Sequence, residues 1–296
     1  MKRFILVSLM ALCLPMALPA QESPALPFLA IDRNPATLAT GGAQATSILY
    51  NPAAAPLLGS DIAFSFQSWA PQAVKSTHLN LMGGIRLGKT LGLQFVGAYQ
   101  SGAEYTVTDA SGNIGDSFKP SDLLLGVGMG FSFSKTFSGG VTVKLATSSL
   151  SPEDKATSIA ADVFVMYAKG GFRASAGVAN LGTPVKSGET SYGIPASAKA
   201  GAAYQLPFGT SAVEFKADFD YFFTGGIGLG AGAQYAWNDT VFVRAGYHLG
   251  GQKAPLPSFA SVGLGVKFVG IHIDACYLLA SEALGNTLSI GVGFAF

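Results

Sequence analysis

Charge is what this sequence has least of. Only 12% of its 296 residues are Asp, Glu, Lys or Arg, against about 25% in an ordinary soluble domain. The formal net charge is +1 and no basic stripe runs through the chain, so a nucleic-acid partner is not expected. Two cysteines and three histidines leave little material for metal or thiol chemistry. Long apolar runs are also missing: beyond the first twenty residues there is no stretch of about 18 apolar residues, hence no helix to cross a membrane. Yet 49% of the chain is hydrophobic. That combination leaves a buried soluble β-sandwich or a membrane β-barrel. The 38 glycines and 21 phenylalanines favour the barrel, whose wall needs aromatics outside and small residues inside.

The one long apolar run stands at the start. Met1-Lys2-Arg3 makes a positive segment, Phe4 to Leu18 an apolar one, and Pro19-Ala20 a cleavage site, so residues 1–20 read as a secretory signal. A lipoprotein reading of Cys13 is disfavoured because Leu12 precedes it where a small residue is required. Loss of the leader leaves Cys276 alone, and no intramolecular disulfide is expected. Residues 21–59 hold short apolar pieces broken by Pro and Gly, too short for long strands. They are expected to form a plug inside a barrel spanning 60–296; the alternative, a disordered leader, conflicts with their apolar content. Within the plug, Tyr50-Asn51-Pro52-Ala53 is expected to start a helical turn, with Asn51 as N-cap and Pro52 at the first helical position.

From Asp61 the residues alternate. The last ten show it best: Leu288, Ile290, Val292, Phe294 and Phe296 share one face, and Thr287, Ser289, Gly291, Gly293 and Ala295 the other. The length suits a membrane strand of roughly 9–11 residues, and Phe294 and Phe296 resemble the terminal aromatic signal read by barrel-assembly machinery. Similar alternation predicts fourteen antiparallel strands, at 61–69, 77–87, 90–100, 122–133, 139–148, 157–168, 171–180, 195–205, 212–222, 226–236, 240–249, 259–268, 271–280 and 287–296. Tight turns such as Lys169-Gly170 alternate with longer connections such as 101–120 and 181–194, and only Phe223-Thr224-Gly225-Gly226 breaks the trend. Short turns on one side and long loops outside the cell are the outer-membrane pattern. The fold class expected is therefore an all-β, fourteen-stranded transmembrane barrel in the cell outer membrane, in contact with its lipids.

The charges fall opposite the apolar faces. Arg86, Lys144, Asp162, Arg173, Lys199, Glu214, Lys216, Asp218, Asp220, Arg244, Lys267, His272 and Asp274 are all expected in the lumen. An Arg or Lys facing lipid at mid-membrane costs about 2–4 kcal/mol. His272 and Asp274, two apart on one strand and about 6.5–7 Å separated, could belong to a catalytic triad, but no serine on their strand completes one. A hydrogen-bonded lumen network is the simpler expectation. The runs Gly126–Gly130 and Gly228–Gly232 sit mid-strand with no helix after them, so they are expected to leave room for the plug rather than to hold a nucleotide. No catalytic residue, metal site or cofactor is expected. On 171–180 and 195–205 the lipid face carries Ala174, Ala176, Ala196, Ala198, Ala200 and Ala202, where other strands carry large residues. Such a smooth stripe lets a partner approach closely and is a candidate docking surface in the membrane; the alternative is low hydrophobicity tolerated at a neutral position.

Several pieces resemble the PorV/PorQ family of outer-membrane proteins, relatives of FadL-type fatty-acid transporters. They are Phe28-Leu29, Gly41-Gly42, Tyr50-Asn51-Pro52-Ala53, Tyr105 to Phe118, Ser121-Asp122, Lys144, Asp162, Ala179-Asn180-Leu181-Gly182 and Ile194-Pro195. The likeness spans roughly residues 27 to 205. It implies a fourteen-stranded barrel with an N-terminal plug and a non-catalytic role in type IX secretion. The partners so implied are the type IX translocon and secreted cargo, bound through the extracellular loops. The alternative is a FadL-like channel for small hydrophobic molecules, which requires a lateral gap or an apolar pocket in the lumen. Because the inward set is largely charged and glycine-rich, the secretion accessory is the expectation preferred from the sequence.

Overall fold

A sheet with one apolar and one polar face must hide both its faces and its edges, and closing on itself does all of this at once. The computed structural model, which describes residues 24–71, 75–108, 114–152, 155–187, 190–280 and 285–296, takes that solution. The expected leader at 1–20 lies outside these residues.

Among the described residues fourteen antiparallel strands close the barrel. The first seven are β1 (Asp61–Trp69), β2 (Ser76–Leu87), β3 (Leu91–Ser101), β6 (Ser121–Ser132), β7 (Phe137–Ser149), β8 (Lys155–Lys169) and β9 (Phe172–Gly182). The rest are β12 (Ser197–Phe208), β13 (Ser211–Phe222), β14 (Ile227–Trp237), β15 (Val241–Gly250), β16 (Phe259–Phe268), β17 (Ile271–Ala280) and β18 (Leu288–Ala295). Each lies beside its predecessor, and β18 pairs with β1 from Asp61↔Ala295 to Ser68↔Leu288. The amide of Phe296 extends the seam to the Ser60 carbonyl at 3.1 Å. The expected strands are all present, with boundaries moved by a few residues; the largest shift is at β12, which runs on to Phe208. Two of the long connections, expected as loops, carry small hairpins of their own: β4 (Tyr105–Thr108) with β5 (Ile114–Phe118), and β10 (Val185–Ser187) with β11 (Thr190–Tyr192).

Burial alternates along the strands as the side-chain period requires. In β18 Leu288, Ile290, Val292 and Phe294 are exposed and Ser289, Gly291 and Gly293 buried. The outward set forms the lipid-facing belt, and at the short-turn end it is a girdle of aromatics including Phe131, Phe137, Tyr167, Phe172, Phe208, Tyr235, Trp237, Phe268 and Phe294. Tyr99, Tyr221 and Tyr277 mark the opposite rim. Amphipathic rings at both water–lipid boundaries are a property of outer-membrane barrels, and the protein is one.

Residues Leu26 to Leu58 fill the lumen. They make a 3-10 turn at Pro27–Ala30 and single helical turns at Pro35–Leu38 and Ala55–Leu58. The first helical turn starts from Asn34, whose side chain accepts from the amides of Ala36 and Thr37, with Pro35 following. Here the sequence expectation needs correction: the Asn-Pro pair that caps a helical turn is Asn34-Pro35, not Asn51-Pro52. Asn51 accepts from the Ala53 amide at 2.8 Å, a local Asx-type turn, and the later helical turn begins only at Ala55 with Pro56 near its start.

Candidate binding site inside the barrel

An irregular segment inside a barrel has many backbone groups that no sheet satisfies, and each needs a partner. The wall supplies them from all sides. Asp218 accepts the amides of Gln44 and Ala45, both at 2.6 Å. Ser138 donates to the Ala53 carbonyl at 2.5 Å, Gln94 to that of Leu49 at 3.3 Å, and Gln67 to that of Asp32 at 3.0 Å. Ser65 donates to the Arg33 carbonyl, and Asn51 reaches Ser175 at 2.7 Å. Where side chains would collide, the wall has glycine. A Cβ on Gly140 would stand 2.6 Å from the Pro52 carbonyl carbon, and one on Gly232 2.6 Å from Thr40 Cα. The glycine runs divide between two uses: Gly130, Gly230 and Gly232 admit the plug backbone, whereas Gly126 and Gly128 make way for the Lys144 and Thr142 side chains.

The inward charges pair with one another in four groups. Lys144 and Asp162 pair at 2.7 Å, and Lys199 and Asp220 at 2.6 Å. Arg173 meets Glu214, which also lies 3.1 Å from Lys216. Arg244 pairs with Asp274 at 2.6 Å, and His272 bridges Asp274 at 2.7 Å and Asp61 at 3.0 Å. With a carboxylate at each ring nitrogen, His272 has none left to activate a serine. His78, on the long-loop side, is likewise engaged: it contacts Gln67 and Ser76 and stacks on Trp69. Two charges expected in the lumen are not inside it. Arg86 and Lys267 have the inward parity but stand at the short-turn rim, where the strand leaves the wall. Arg86 is exposed and donates to the Gly88 carbonyl at 3.2 Å, and Lys267 pairs with Asp239 of a turn at 2.8 Å. Both sit in water, so neither needs a partner in the lumen.

Lys144, Asp162 and Asn180 meet at a kink. The β8–β9 register slips between Ala161↔Leu181 and Val163↔Val178, and Asn180 takes a left-handed φ of 55°. Asp162 accepts the Asn180 amide at 2.7 Å, and Lys144 binds both Asp162 and the Asn180 side chain. Beyond the kink β9 continues to pair with β8 as far as Gly182, but its last described partner in β12 is Ser197, opposite Ala179. The β9–β12 ladder therefore ends at Ala179↔Ser197; beyond it Asn180 donates to the Pro195 carbonyl at 3.3 Å, and a Cβ on Gly182 would stand 2.7 Å from the Ile194 side chain.

A cavity of about 80 Å³ lies against this point. Plug residues Leu29, Asp32, Arg33, Gln44, Ala45 and Tyr50 form one side. The wall contributes Phe164, Phe222, Phe259 and Leu256 among apolar groups, and Ala179, Asn180, Ser197, Lys199 and His248. Asp32 sits under it in a tight network: Tyr50 donates to Asp32, while the Tyr50 hydroxyl accepts the Arg33 amide at 2.7 Å. Burial pushes the Asp32 carboxyl above the usual carboxylate range, outweighing the hydrogen bonds from Tyr50, Asn34 and Thr37. Next to the cavity, Leu26, Phe28 and Leu29 pack against Ala98, Leu124, Ala146, Ala160, Val185 and Ile194 in an apolar cluster. Sequence reasoning missed Asp32, Ser197 and the aromatic lining, since nothing local distinguishes them from other plug or inward residues.

The remaining expected positions are on the surface. Ala174, Ala176, Ala198, Ala200 and Ala202 point outward, with Ala176↔Ala200 and Ala174↔Ala202 paired across the β9–β12 seam. Ala196 instead precedes β12, half-buried, and its carbonyl accepts the Phe223 amide at 2.9 Å. Phe294 and Phe296 stack outside the closing seam, 5.4 Å between centroids. Cys276 is buried in an apolar cluster with Leu38 and Leu278.

No family profile matches the chain, and neither does any curated protein. Solved structures do. The CymD monoaromatic hydrocarbon channel has a TM-score of 0.61 at 14% identity, over 89% of this chain and 97% of its own. The Ralstonia pickettii toluene transporter TbuX gives 0.60 at 12%, over 89% and 98%. The P. putida toluene transporter TodX gives 0.60 at 13%, over 88% and 97%. At such identities the likeness shows the fold, and this chain shares it. These neighbours lie on the transporter side of the expected kinship; the PorV/PorQ branch and type IX secretion are not shown by them.

Proposed function

We propose that this protein is a plugged outer-membrane channel for small, largely apolar molecules. The observation that carries the reading is the cavity between plug and wall, set beside the end of the β9–β12 ladder. Such a channel requires a lateral gap or an apolar lumen pocket, and a pocket lies beside the point where the β9–β12 pairing ends. The charge-rich lumen, which favoured a secretion accessory from the sequence, weighs less once its members are seen paired. Lys144 with Asp162 and Lys199 with Asp220 leave the pocket without net charge, and Phe164, Phe222, Phe259, Leu29 and Leu256 give it an apolar lining. The channels with the same fold are named for monoaromatic hydrocarbons and toluene, which fits a site of this size.

The test is uptake. Cells or outer-membrane vesicles carrying the protein should accumulate radiolabelled toluene faster than those without it, and equal rates would refute the channel. Affinity purification from native outer membranes discriminates against the accessory reading: stoichiometric recovery of secretion components would restore it.

A further inference from the structure

One carboxylate oxygen of Asp32 is saturated and the other is bare. Oδ1 accepts from the Asn34 amide at 3.0 Å, from the Thr37 hydroxyl at 2.8 Å and from Tyr50. Oδ2 has no hydrogen-bond partner among the described residues, although Asp32 is only 2% exposed. Ser197 Oγ, on a residue 0% exposed, is in the same position. Both residues line the cavity. A Cβ placed on Gly42 would stand 3.8 Å from Asp32 Oδ2 and 3.9 Å from His248 Nδ1, so these two atoms lie on the same side of the cavity.

Buried acceptors are normally matched by donors. The cations of the cavity are engaged elsewhere: Lys144 with Asp162 and Asn180, Lys199 with Asp220, and the Arg33 guanidinium with the carbonyls of Phe28 and Ile31 at 2.7 and 3.1 Å. No described side chain reaches Asp32 Oδ2, which leaves it to accept from whatever occupies the site. Three carboxylates (Asp32, Asp162, Asp220) balance three cations (Arg33, Lys144, Lys199) in the lining, which favours a neutral occupant. The rings of Phe164, Phe222 and Phe259, the last with His248 stacked on it at 5.0 Å, suit a flat aromatic one.

Resting on the channel reading above, we infer that the cavity selects a small neutral aromatic molecule bearing a hydroxyl over the bare hydrocarbon, with Asp32 Oδ2 accepting from that hydroxyl and the Ser197 hydroxyl donating to its oxygen. A site built to bond a hydroxyl discriminates against the analogue lacking it, because its own buried polar atoms are then left unmatched.

The probes are p-cresol and toluene, which differ only by that hydroxyl, titrated calorimetrically into the purified full-length barrel in detergent. The unaltered protein should bind p-cresol roughly tenfold more tightly or better, as expected when toluene leaves buried polar atoms unmatched. Asp32→Asn, which can turn an amide donor toward the ligand, should bring the ratio toward one. Ser197→Ala should reduce it severalfold and carries the test alone should Asp32→Asn fail to fold. Equal affinities in the unaltered protein, or a ratio unchanged in both variants, overturn the assignment. If toluene uptake persists while the ratio is one, only the donor rule fails; if neither compound binds or enters, the channel reading falls with it.

Discussion

At the residue scale, the inward charges are defined by their partners. Asp162 neutralises Lys144 and accepts the Asn180 amide that the kink in β9 exposes. Removing one member of a buried pair strands the other, at about 3–5 kcal/mol, whereas replacing both with apolar residues is often neutral or stabilising. Asp162→Ala should therefore lower the urea midpoint of the detergent-folded barrel markedly, and Lys144→Met with Asp162→Leu should recover much of it. A double variant no more stable than the single one would mean that the Asn180 amide, and not the pair, dominates. The sequence showed that Lys144, Asp162 and Asn180 all matter to one reading, through the resemblance, but not that they touch: they sit on three successive strands and meet only once the register between those strands is set.

At the element scale the plug is the part that sequence rules serve worst. Its turns are single, and its two Asn-Pro pairs look alike; which of them caps a helical turn depends on the wall opposite. Asn51 is held by Ser175 and the Ala45 carbonyl, and so makes a local turn instead. The glycines facing the plug were legible as space, though not as which residue fills it. Gly140→Val would drive a side chain into Pro52 and Ala53, so the plug should be displaced while β7 still pairs. The expected readout is a higher single-channel conductance in planar bilayers, with unchanged heat-modifiable mobility; conductance like that of the unaltered protein would contradict the close packing of plug on wall.

At the scale of the molecule, closure depends on the last strand. β18 completes the ladder to β1, and Phe296 adds the final backbone bond to Ser60 while its ring stacks on Phe294 in the aromatic girdle. Deleting Phe296 should lower the amount of folded protein in the outer membrane several-fold, measured by immunoblot of heat-modifiable species; normal levels would show that closure does not need the terminal ring.

By itself the sequence determined the barrel. A strand's side chains alternate with period two, lipid tolerates no charge on one face, and an even strand count brings the ends together, so local pattern and solvent are enough to specify the fourteen strands of the closed wall. Only the tertiary structure decided what the lumen is. The paired charges and the end of the β9–β12 ladder arise between neighbouring strands of the wall, and the bare oxygens of Asp32 and Ser197 come together from plug and wall, more than a hundred positions apart. No periodicity encodes such a meeting, because it depends on how an irregular segment finds partners for its backbone inside a cylinder already built.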